Sequence, residues 1–112
     1  MGKTLGEFEQ LVLFALVALG DDAYGVSVRQ EIEERTGRSV SAGAVYTVLK
    51  RLEERDLVSA WIGDPTPERG GRRRKHYRIE TEGAVQLRQA RDQLLDMSQG
   101  LAERLDRAAD GA

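Results

Sequence analysis

The sequence predicts a mainly α-helical chain with one small β-hairpin, and three observations carry that prediction. Apolar residues recur at helical spacing in four stretches separated by glycine, aspartate and serine. Two short β-prone runs, Val58–Ile62 and residues 76–81, flank a stretch dense in turn formers, residues 63–71. Across residues 81–107 apolar side chains fall at Leu87, Ala90, Leu94, Met97 and Leu101, with Leu95 and Leu105 beside them. That 3-4 spacing predicts one long C-terminal helix.

The first helix is expected over residues 5–19, with Phe8, Val12, Ala15 and Leu19 on one stripe. Its second half is apolar nearly all round, which predicts burial on every side. Gly20-Asp21-Asp22 ends it, and either aspartate can cap the next helix, residues 23–36. That second helix buries Val28 and Ile32 and stops at Gly37, a natural left-handed cap. Ser41 then caps a third helix that runs to about Leu57, with Val45, Val48, Leu49 and Leu52 on its inner face. The order of elements, two short helices joined tightly and then a hairpin, is that of a winged helix-turn-helix. The chain divides accordingly into residues 1–80, the winged unit, and residues 81–112, the last helix and tail.

Composition limits what such a chain does. Cysteine is absent, which excludes disulfides and thiolate metal sites and fits a reducing cytoplasm. The longest apolar run is the nine residues LVLFALVAL, too short to cross a bilayer, so no membrane partner is expected. Catalysis needs a base, nucleophile or metal constellation, and a chain with one histidine and no cysteine offers none, so no enzyme and no cofactor is expected. His76 itself reads as a hairpin or surface side chain. The informative property is the segregation of charge. Residues 38–78 hold ten Lys or Arg against five Asp or Glu, a local +5, while the remainder carries −7 and the whole only −2. Five of the seven residues 72–78 are basic. One face is thus prepared for an anionic partner.

Duplex DNA suits that face. The second helix of a helix-turn-helix enters the major groove by its first turns. Here those turns hold Ser41, Ala42, Gly43 and Ala44, small enough for close approach, and helix N–H groups that can meet a phosphate. Tyr46, Thr47, Lys50 and Arg51 lie opposite the apolar stripe: hydroxyls and a methyl for phosphate or base, and cations for the backbone. Arg72, Arg73, Arg74 and Lys75 supply the wing. Periodicity alone equally allows Tyr46 as an aromatic at the core's edge, and Lys50 and Arg51 as a solvated face pairing with Glu53 and Glu54. A winged helix that docks on an acidic protein and binds no DNA is the competing reading.

The stretch AYGVSVRQEIEERTGRSVSAGAVYTVLKRLEERDLV, followed by GGRRRKHYRIETEG, resembles the PadR family of bacterial winged-helix transcriptional regulators. The resemblance runs over residues 5–87. It rests on Tyr24-Gly25, on Ser41-x-Gly43-x-x-Tyr46, on Leu52-Glu53-Glu54, and on the arginine-rich wing leading through Tyr77 to Thr81-x-Gly83. It implies a cytoplasmic, nucleoid-associated homodimer of the short form, binding a palindromic operator, usually as a repressor and often released by a small molecule. Ala42 and Thr47 stand where the family commonly has proline. Thr47 adds a hydrogen-bonding side chain, so a different operator sequence is expected. The sole tryptophan, Trp61, lies on the first wing strand rather than the last helix, away from where some short-form relatives stack drugs.

The C-terminal seam of Leu87, Leu94, Met97, Leu101 and Leu105 is expected to pair with a second copy. Five small elements leave little surface on which a helix of about 40 Å could bury itself. An amphipathic helix lying on its own core is the alternative. A cavity between the first and last helices, lined by Phe8, Val12 and Met97, is the candidate effector site, although the same residues also suit plain core.

Overall fold

A buried strip of α1 (Glu7–Leu19) organises the structure, a computed structural model that describes residues 4–63 and 73–111. Val12, Leu13, Ala15 and Leu16 are buried against α2 (Gly25–Thr36), α3 (Ala42–Glu54), α4 (Thr81–Ser98) and the hairpin of β1 (Val58–Ile62) and β2 (Lys75–Ile79). The expected inner faces are inside: Val28 and Ile32 of α2, and Val45, Val48, Leu49 and Leu52 of α3. Burial of α1 on every side is not observed. Phe14 and Val17 stand exposed on its outer face, because a single chain has elements enough to cover only one side of it.

Local chemistry fixes the element ends. Ser41 caps α3 by accepting a hydrogen bond from the Ala44 N–H at 3.1 Å, and Gly37 closes α2 at φ 71°. Neither Asp21 nor Asp22 caps α2. Gly20–Asp22 forms a single 3-10 turn, and Ser27 accepts the Tyr24 N–H at 3.0 Å while donating to the Asp22 carbonyl at 2.6 Å. Nor does α3 reach Leu57. It ends at Glu54, and Asp56 turns the chain at φ 59° into β1.

The hairpin pairs antiparallel, with Ala60 opposite Tyr77 and Trp61 opposite His76. The Tyr77 N–H donates to the Ala23 carbonyl at 2.9 Å and Tyr24 forms an isolated bridge with His76, so backbone pairing joins the segment before α2 to β2. Tyr77 is buried and Ile79 packs on the core, which pins the wing to the helices. At the opposite end Glu9, almost buried, pairs with Arg55 at 3.3 Å and ties α1 to the end of α3.

Gly83 marks a close backbone approach. A Cβ there would lie 2.3 Å from the Leu57 carbonyl oxygen, which is backbone and cannot swing aside. Gly83→Ala is expected to lower the unfolding free energy by about 2–3 kcal/mol through forced separation of α4 from the turn before β1. Chemical denaturation measures this.

The single C-terminal helix is corrected to two. α4 ends at Ser98, Gly100 takes φ 78°, and α5 (Ala102–Asp110) follows. Periodicity runs through the break because Met97 and Leu101 keep their spacing, whereas a left-handed glycine interrupts the helix without disturbing the apolar pattern. No residue of α5 is buried.

Candidate nucleic-acid interface

The start of α3 and the basic return strand of the wing meet at the foot of α2. Ala42, Gly43 and Ala44, on the first turn of α3, are exposed, and Gly43 has open space where a side chain would be. One turn on, Tyr46 is 48% exposed and its ring lies on Gly25. A Cβ at Gly25 would come within 2.3 Å of the Tyr46 ring end and hydroxyl, so this close approach requires glycine. Opposite, β2 and the residues before it bring Arg73, Arg74 and Lys75. Tyr24, Gly25, Tyr46 and these three cations line one concavity of about 410 Å³.

The cations are not equivalent. Arg74 carries its guanidinium 4.4 Å over the Tyr24 ring, where cation and π face hold each other. Lys75 pairs with Glu53 at 3.1 Å and sits over Tyr77. The hydrogen bond to Glu53, and after it the phenol of Tyr77, raises the lysine above its ordinary pKa, so it is cationic throughout the physiological range. Burial raises the Tyr77 hydroxyl above the ordinary tyrosine value, so that side chain is neutral there. Thr47, Lys50 and Arg51 face solvent on α3. Among the described residues neither Lys50 nor Arg51 joins an ion pair, and Glu53 pairs with Lys75 instead. Arg72 lies outside the described residues, as does most of the expected wing loop.

The remaining candidates separate. Leu87 is buried in the core of its own chain rather than on an outer seam. Leu94, Met97, Leu101 and Leu105 are exposed. Phe8, Val12 and Met97 are not brought together. Phe8 packs on the core beneath Arg38, Val12 is fully buried, and Met97 borders a cleft of about 530 Å³ with Leu5, Gln86, Gln93 and Leu94. Tyr24, Gly25 and Gln30 are parts of the basic site that the sequence does not reveal. Only the Tyr-Gly pair at the start of a helix hints at them, and their contact with Tyr46 is long-range.

The match that decides the family is direct: the model of the transcriptional regulator PadR-like family covers residues 13–89. The chain belongs to the PadR family. Among its relatives is an uncharacterised protein of Lysinibacillus sphaericus, 33% identical over 84 residues that span 73% of this chain and 72% of that one. A PadR family transcription regulator of Clostridium difficile shares the fold with a TM-score of 0.72 at 24% identity, over 89% of this chain and 99% of the other. A PadR family regulator of Eggerthella lenta superposes with a TM-score of 0.66 at 26% identity, over 88% and 86%. Among the described residues no group of His, Asp or Glu is placed to hold a metal ion, and no described helix is long and apolar enough to cross a membrane.

Proposed function

We propose that this PadR chain is a sequence-specific DNA-binding repressor that grips a palindromic operator as a homodimer. The observation that carries the reading is the concavity that joins Tyr46 of α3 to Arg73, Arg74 and Lys75 of the wing. Phosphate contacts fix the position of a protein on a duplex, and α3 presents Thr47 beside them for base edges. The cationic face lies on the winged unit, and the acidic remainder of the chain stays away from the polyanion.

The exposed apolar residues supply the second half of the proposal. Leu94, Leu95 and Met97 of α4, Leu105 of α5, and Phe14 and Val17 of α1 are exposed in one copy, and a second copy covers them. Two-fold symmetry then sets two α3 helices about one DNA turn apart or a multiple of it. A small molecule that releases the operator enters the cleft beside Met97, which borders this face.

Salt titration tests the reading. With duplex DNA, log K falls linearly with log salt, by about 0.9 for each phosphate neutralised. If duplex binding is absent even at low salt, the DNA reading fails, and a winged helix that docks on an acidic protein replaces it. Gly25→Ala offers a finer probe. The methyl group displaces the free end of Tyr46 rather than backbone, so the fold is retained. Duplex affinity is expected to drop about five- to tenfold, the value of one hydrogen bond. Unchanged affinity would remove Tyr46 from the interface.

A further inference from the structure

His76 is the only histidine in the chain, and the interface above leaves it without a role. Its surroundings are specific. The imidazole stacks on Trp61 with centroids 5.3 Å apart and planes at 24°, and meets Tyr24 at 5.6 Å. Nδ1 lies 2.9 Å from the Asp21 carbonyl oxygen, an acceptor only, so that nitrogen is the donor. The backbone leaving β1 crosses close to the ring: a Cβ at Gly63 would lie 2.8 Å from it. Two arginines close the stack, Arg74 at 4.4 Å over Tyr24 and Arg78 at 4.7 Å over Trp61. Arg78 in turn pairs with Asp21 at 3.0 Å. The order is therefore Arg74, Tyr24, His76, Trp61, Arg78, a ladder that crosses from the segment before α2 to both wing strands.

We propose that His76 is a positioning residue for DNA binding: through Tyr24 it holds the Arg74 guanidinium at the mouth of the basic concavity, and it fixes the wing against the helix pair. An arginine free in water surrenders its rotamers when it meets a phosphate, whereas one already stacked has lost them beforehand. Removing His76 takes the support from one side of the Tyr24 ring and from Trp61 together. The wing keeps its backbone bond from Tyr77 to Ala23 but loses the ring contact to Tyr24, and Arg74 loses its fixed platform. Histidine itself need not reach DNA.

The inference rests on the DNA reading and makes a separate prediction. His76→Ala, His76→Phe, Arg74→Ala and the His76→Ala, Arg74→Ala double variant are titrated with an operator duplex across a range of salt, alongside thermal unfolding. His76→Phe carries no charge yet keeps the stack, so it separates positioning of Arg74 from any phosphate contact of the imidazole itself. A purely structural role would leave the salt slope where it was. The expected result is that His76→Ala lowers the slope by about 0.9, as Arg74→Ala does. The double variant should be no weaker than the weaker single within about twofold, and His76→Phe, which keeps the stack, should retain the wild-type slope. Effects of His76→Ala and Arg74→Ala that simply multiply, an unchanged slope, or a phenylalanine variant as weak as the alanine one would each overturn the proposal. Should His76→Ala fail to fold, Tyr24→Leu removes the next rung and is judged by the same two criteria. Wild-type binding with multiplying variants removes this inference alone, whereas absence of wild-type binding removes the DNA reading as well.

Discussion

Arg73→Ala combined with Arg74→Ala is expected to weaken binding to every duplex by one common factor, on the order of tenfold to a hundredfold at low salt. Both cations line the concavity, and neither lies on α3, the element proposed to read base edges. The salt slope should fall by about 0.9 for each phosphate that is no longer neutralised, so affinity and slope decline together. Thr47→Ala is expected to behave oppositely. It should leave the slope alone and reorder preference among sequences, by roughly 1–3 kcal/mol at a single base position. Titrating both variants against a panel of duplexes separates the two roles. A wing variant that reordered the panel would place the arginines in a groove rather than on the backbone.

Leu94→Asp with Leu105→Asp should convert the proposed dimer to monomers. The two leucines are 63% and 69% exposed in one chain, so a protomer does not depend on them for its core. In a dimer each would be covered, and an unpaired carboxylate there costs several kcal/mol. Across two copies that is enough to raise the dissociation constant by several orders of magnitude while unfolding of the protomer shifts little. Operator affinity falls with it, because two linked half-sites act at a high effective concentration and two separate ones do not. Sedimentation decides this, and a folded double variant that stayed dimeric would refute the seam.

The parts legible in the sequence are those set by neighbours a few residues away. Val45, Val48, Leu49 and Leu52 reveal α3 because a 3.6-residue repeat is a local property, and Ser41 and Gly37 mark ends because capping is local too. The start of α2 departs from expectation for the converse reason. Asp21 and Asp22 are good caps in isolation, yet the 3-10 turn takes them up before the helix begins at Gly25. Leu87 shows another limit. Its spacing fits an outer seam and an inner core equally, and only packing on α1 assigns it to the core. In the site, the cations are visible as charge. The concavity is not, since it depends on Gly25 receiving Tyr46 from twenty-one positions later in the chain.

The joint at Gly100 bears on how such a chain can change over generations. α5 contributes nothing to the interior, and the glycine that precedes it bends the path without packing on a neighbour. Substitutions, extensions or losses beyond that joint leave the helix pair and its wing as they are. Selection acting on α5 is therefore free of the packing of the winged unit, and at Leu105 it acts through the proposed pairing of two copies alone.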